Sequence, residues 1–137
     1  MHICPYLSFD GRCEEAFKFY EKLFGGSIKG MMTYEGSPME ERTPEEWRTR
    51  IMHACVDIGG QVLMGADAPP NYYKRPQGLS VSLSPGKVAD AERIFAGLAE
   101  NGEIGMALQQ TFWAARFGMV TDRFGIPWMI NCEKDAA

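Results

Sequence analysis

The chain has 137 residues, 45% of them apolar and 12% aromatic, with a formal net charge of −4. That length suits one domain, or two small modules sharing a core, because modules of half the size bury too little surface to stand alone. The charge excludes the basic footprint that nucleic acid or an anionic membrane demands, and no apolar run approaches the ~20 residues of a membrane-spanning helix.

The first residues, MHICPYLSFDG, lack the basic start and long apolar stretch of a secretory signal, so cytoplasmic residence is expected. Cys4, Cys13, Cys55 and Cys132 have no compact ligand spacing and are read as reduced thiols. The acidic run from Glu40-Glu41 to Glu45-Glu46 reads as a solvated loop.

Residues 3–9 alternate, with Leu7 and Phe9 on the side expected to meet a helix-covered core and Cys4, Tyr6 and Ser8 on the other. A helix is predicted over 14–24, because Ala16, Phe17, Tyr20, Leu23 and Phe24 recur at helical spacing and Gly25-Gly26 supplies a stop. A strand over 27–34 follows. Residues 35–50 break the pattern and are read as an insertion. Within it, Thr43-Pro44-Glu45-Glu46 predicts a short helix to about Trp47, with the Thr43 hydroxyl as cap.

Two strands come next, 51–58 and 61–67, joined at Gly59-Gly60. The stretch 68–77, APPNYYKRPQ, is proline-rich and aperiodic, a linker. The second half repeats the plan: a strand over 79–83, a helix over 88–99 closed by Asn101-Gly102, a strand over 104–108, and a hairpin of 114–121 and 126–131. Asp122-Arg123-Phe124-Gly125 joins the hairpin, since Asp bonds its own backbone two residues on and Gly accepts positive φ. The expected fold is therefore α+β: tandem βαβββ modules, about 1–67 and 78–133, forming curled mixed sheets with helices on the outer face.

The segments PYLSFDG (5–11), EAFKFYEKLFGG (15–26), MHACVDIGG with VLMGAD (52–67) and TFWAARFGMVTDRFGIPWMIN (111–131) resemble the vicinal oxygen chelate superfamily. This is the glyoxalase, bleomycin-resistance and dioxygenase fold, and the likeness is to its PhnB-like group. The resemblance implies paired modules, each curling its sheet around a cavity, in a homodimer. Metal-using members hold a divalent ion with side chains from the first and fourth strands of each module. Carried onto this chain, those positions fall at Cys4, near Gly65, at Ser80 and near Met129, with Asp67 the nearest acid to the second. Serine, glycine and methionine do not supply the donors a hard or borderline cation wants, so no cofactor is expected there. The same resemblance brings the name of a demethylubiquinone methyltransferase, yet no Gly-rich turn between strand and helix is present to hold a methyl donor.

If the aliphatic strand faces pack on the helices, the opposite faces present Cys4, Tyr6, Ser8, His53, Cys55, Ser80 and Ser82. His53 is then a candidate general base, and Cys55 a candidate nucleophile beside it. Cys4, His53 and Cys55 are the candidate soft ligands should a metal bind. Trp113, Phe117 and Trp128 are bulky enough to wall a pocket, although core packing is the first reading for these aromatics. Arg116, in an otherwise apolar strand, is expected to meet an anionic ligand or an internal acid such as Asp67 or Asp122. The expected ligand site is Tyr6, His53, Trp113 and Arg116. Two functions remain open: a homodimer binding a small molecule without the usual metal, or a lyase, isomerase or dioxygenase using an unusual site.

Overall fold

The computed structural model describes residues 1–135. The chain divides into two compact units, the first Met1–Arg75 and the second from Pro76 onward. The first contains β1 (Tyr6–Phe9), α1 (Cys13–Phe24), β2 (Ser27–Thr33), β3 (Ile51–Ile58) and β4 (Gln61–Asp67). The second contains β5 (Val81–Leu83), α2 (Val88–Ala99), β6 (Glu103–Gln109), β7 (Ala114–Thr121) and β8 (Pro127–Glu133). Both sheets have the same plan, β1-β4-β3-β2 and β5-β8-β7-β6, with the first strand parallel to the fourth and the other pairs antiparallel. This is the expected α+β arrangement of βαβββ units.

Each unit has its own helix-covered core. Cys13, Ala16, Phe17 and Tyr20 of α1 are buried with Leu7, Phe9, Ala54, Val56 and Leu63. Ala91, Ile94, Phe95 and Leu98 of α2 are buried with Val120, Trp128 and Ile130. Gly65 shows how closely the helix approaches: a Cβ there would lie 2.8 Å from the Leu7 carbonyl oxygen and 2.9 Å from Phe17 Cε1.

The strands predicted over 3–9 and 79–83 are shorter than expected. Ile3 is 89% exposed and Leu79 61%, because pairing with the fourth strand begins only at Tyr6↔Met64 and Val81↔Trp128. Residues 35–50 differ more. They form two 3-10 turns, Glu40–Arg42 and Glu45–Trp47, and Thr43 does not cap the second. Its hydroxyl instead donates back to the Met39 carbonyl at 2.7 Å, closing the preceding turn.

The cap of α1 comes from far along the chain. Asp67 Oδ1 accepts from the amides of Gly11 (3.0 Å) and Cys13 (2.9 Å), while Oδ2 accepts from the amide of Ile51 (2.9 Å). One carboxyl thus ties β4 to the start of α1 and the start of β3, supplying acceptors to donors the helix cannot satisfy itself.

Candidate functional site

Strand register decides which side chains share the face opposite the helix. In the first unit, Tyr6, Met64, Cys55 and Gly30 form one cross-strand row, and Met32 pairs with His53. Leu7, Gly65 and Ala54 form the neighbouring row, which points at α1. On the open face the Tyr6 hydroxyl lies 3.1 Å from His53 Nδ1, with the two rings stacked at 5.8 Å. Partial burial pushes the Tyr6 phenol above its ordinary pKa, and the Cys13 thiol adds to the shift. Tyr6 and His53 are therefore brought together, with Cys55 two residues from His53 on the same strand face.

In the second unit the open-face row runs Met106, Met119, Met129, Ser82. Phe117 pairs with Asn131 on the same face, and Trp113 joins them: its indole Nε1 donates to Asn131 Oδ1 at 3.2 Å, and its ring meets Phe117 edge-on at 5.2 Å. Trp128 belongs to the other face. It is fully buried, so it walls no pocket on the open side.

Arg116 departs from expectation. It pairs in register with buried Cys132, in the same phase as Gly118 and Val120, which pack toward α2. Its Nε donates to Oε1 of Glu92, a residue of α2, at 3.2 Å, and its Nη1 donates to the Ala115 carbonyl at 2.7 Å. The answering acid is Glu92, neither Asp67 nor Asp122, and the guanidinium does not share a face with Trp113. Alternation accounts for this: Trp113 and Phe117 lie an even number of residues apart and share the open face, whereas Arg116 is three residues from Trp113 and takes the helix-facing phase of Ala114, Gly118 and Val120.

The expected donor positions are corrected in the same way. Cys4 and Ser80 lie outside β1 and β5, and Gly65 faces α1. The open-face pairs on first and fourth strands are Tyr6 with Met64 and Ser82 with Met129. A phenol, a hydroxyl and two thioethers do not fit a hard or borderline divalent ion held by imidazole and carboxylate. Asp67, the nearest acid, is 1% exposed and engaged by backbone amides. Among the described residues no three His, Cys, Asp or Glu side chains gather as a metal site, so Cys4 does not join His53 and Cys55.

Two units of sheet order 1-4-3-2, each with one helix across one face, define the vicinal oxygen chelate fold, and the chain is a member of that superfamily. Within it, the chain belongs to the PhnB-like family described as 3-demethylubiquinone-9 3-methyltransferase, whose sequence pattern matches residues 1–131. It is 39% identical to protein YjdN of Escherichia coli (strain K12) over 142 aligned residues, covering 98% of this chain and 97% of YjdN. The crystal structure of protein PA1353 from Pseudomonas aeruginosa is similar at a TM-score of 0.89 and 46% identity, covering 98% of this chain and 99% of that one. A putative 3-demethylubiquinone-9 3-methyltransferase, PhnB protein, from Bacillus cereus shares the fold at a TM-score of 0.82 and 24% identity, over 96% of this chain and 99% of that one. No helix among the described residues is long and apolar enough to cross a membrane.

Proposed function

We propose that this protein binds a small aromatic or hydrogen-bonding organic molecule on the open sheet faces, without a hard-cation site. The observation that carries the reading is the contrast between the two sides of each sheet. One side is sealed by a helix. The other presents rings held by specific contacts, Tyr6 on His53 and Trp113 on Asn131. Rings fixed by a second contact lose little conformational freedom when a ligand docks, which favours binding. With Arg116 bonded to Glu92 of α2, its guanidinium does not stand on the open face to meet an anion, so the ligand class shifts from anionic to neutral or weakly polar aromatic.

The methyltransferase description of the family is not carried over. The strand-to-helix connections of both units, residues 10–12 and 84–87, hold one glycine each and no Gly-rich turn suited to a methyl donor. We also place the protein in a cytoplasmic homodimer, because Tyr6, Met32, Met106, Phe112 and Trp113 leave apolar surface exposed and β2 and β6 end their sheets unpaired within the units. Sedimentation at micromolar concentration should give twice the chain mass, and a stable monomer there would remove the dimer.

The binding test is titration of wild type, Trp113→Ala, His53→Ala and Arg116→Ala with a panel of small phenols and aromatic amides, followed by tryptophan fluorescence and calorimetry. Trp113→Ala or His53→Ala should weaken binding by about 1–3 kcal/mol, with Arg116→Ala unchanged. Equal affinity across all four proteins would defeat the reading. The Tyr6–His53 contact supports a second reading, an acid–base pair in an isomerase or lyase, with His53 taking a proton and Tyr6 giving one. That reading requires a substrate whose turnover disappears in His53→Gln and Tyr6→Phe while binding persists.

A further inference from the structure

We propose that the open face of the first unit is a binding site for a soft monovalent cation, Cu(I) or its redox-inert analogue Ag(I), with Cys55 and Met64 as sulfur ligands and His53 as the third donor. The inference does not rest on the organic-ligand reading and uses two side chains which that reading leaves idle.

The geometry follows from register. Cys55 and Met64 are direct cross-strand partners on one face, which places their Cβ atoms about 4.5–5.5 Å apart, close enough for both sulfurs to reach one ion. His53 stands two residues from Cys55 on that same face, and Met32, its own cross-strand partner, flanks it. His53, Cys55 and Met64 are each only partly buried, so an ion reaches them without opening the core.

The chemistry of the set is selective. A thiolate, a thioether and an imidazole are poor company for Mg²⁺ or Ca²⁺, but thiolate and thioether sulfur are the ligands that select Cu(I). The contact between the Tyr6 hydroxyl and His53 Nδ1 fits a ligand role, because the phenol oxygen can accept from Nδ1–H and leave the Nε2 lone pair free for the ion. Binding is a proton exchange with no change of oxidation state: Cys55–SH and Cu⁺ give Cys55–S–Cu and H⁺. The fourth-strand position that carries no carboxylate for a hard ion thus carries Met64, a soft donor beside a thiol.

Two other candidates carry less. The cleft at Ser84, Pro85, Gly86, Glu133 and Asp135 offers acidic groups beside a helix start with no further sign of a ligand. The Met106, Met119, Met129 row has thioethers without a thiol or imidazole.

The test is anaerobic competition for Cu(I) supplied as its bicinchoninate complex. Wild type should take one ion per chain, Cys55→Ser and Met64→Leu should each weaken capture at least ten-fold, and Cys4→Ser should match wild type. Circular dichroism checks that the conservative variants fold, and X-ray absorption of the copper-loaded wild type provides a reading independent of them, expected to show two sulfurs in the coordination shell. No capture by wild type, loss in Cys4→Ser alone, undiminished capture in both Cys55→Ser and Met64→Leu, or a shell without sulfur would each overturn the site. Zn(II) held as tightly as Cu(I) would overturn its selectivity for a soft ion.

Discussion

Trp128 donates its indole hydrogen to Asp122 Oδ2 at 2.8 Å, and both residues are buried. The other oxygen of Asp122 accepts from the amides of Phe124 (2.9 Å) and Ile126 (3.0 Å), so one carboxyl shapes the β7–β8 turn and anchors the largest side chain of that unit's core. Replacing Asp122 with Ala leaves three buried donors to find other partners. The expected loss of stability is about 2–4 kcal/mol, measured by urea denaturation. Asp122→Asn, which retains an acceptor oxygen, should lose less.

Gly65 is a packing requirement of β4 under α1. A Cβ there would fall 2.8 Å from a backbone oxygen and 2.9 Å from the Phe17 ring, and the backbone cannot give way cheaply. Gly65→Ala should cost about 1–3 kcal/mol as an overpacking substitution, while Ala at Gly30, where no atom lies within 4 Å, should stay within about 0.5 kcal/mol. Equal effects at the two positions would contradict the placement of Gly65 on the helix-facing side.

Burial, reinforced by the neighbouring Asp67 carboxyl and then by Glu14, pushes the Cys13 thiol far above its ordinary 9.0. A raised folded-state pKa means that the folded chain keeps the proton while the unfolded chain releases it. The stabilisation is intact below pH 9.0 and is lost progressively above it. Partial burial raises Tyr34 in the same sense, and Asp67 adds to it. Stability should therefore fall from about pH 9 upward, by at most about 1.4 kcal/mol per pH unit for the thiol. Cys13→Ala should show a shallower fall, so the gap between variant and wild type narrows with pH. Parallel curves would show that Cys13 does not titrate differently in the two states.

Arg116 and Glu92 form an ion pair at the edge of α2, with side chains 33% and 55% exposed. A pair this open is screened by water, and Arg116→Ala should cost less than about 1 kcal/mol. The double variant with Glu92→Ala should show a coupling of a few tenths of a kcal/mol that shrinks in high salt. A loss of several kcal/mol would mean that the guanidinium is buried in the assembled protein.

Much of the fold was legible because hydrophobic period and turn chemistry are local. The period-two strands at 51–58 and 61–67, the helix stripe of 88–99 and the turn at Asp122 to Gly125 came directly from side-chain type and spacing, and their bounds hold within a residue or two. The short strands at Tyr6 and Val81 were overextended because alternation continues in Ile3 and Leu79 where no partner strand does. The capping pattern at Thr43 misled because nothing local shows that its hydroxyl is used by the preceding turn.

By itself, the sequence determined the repeated βαβββ order and carried the resemblance to the superfamily, and strict alternation put His53 and Cys55 on one strand face without knowledge of partners; the meeting of Tyr6 with His53 took the pairing of the strands. Only the tertiary structure decided what register and long-range contact control. It placed Arg116 beside Glu92 of α2, set Met64 and not Gly65 next to Cys55, and gave Asp67 to the start of a helix more than fifty residues earlier in the chain. The physical reason is the period of two: a single shifted residue turns a side chain to the opposite face, and the shift is fixed by the neighbouring strand, which local sequence does not contain.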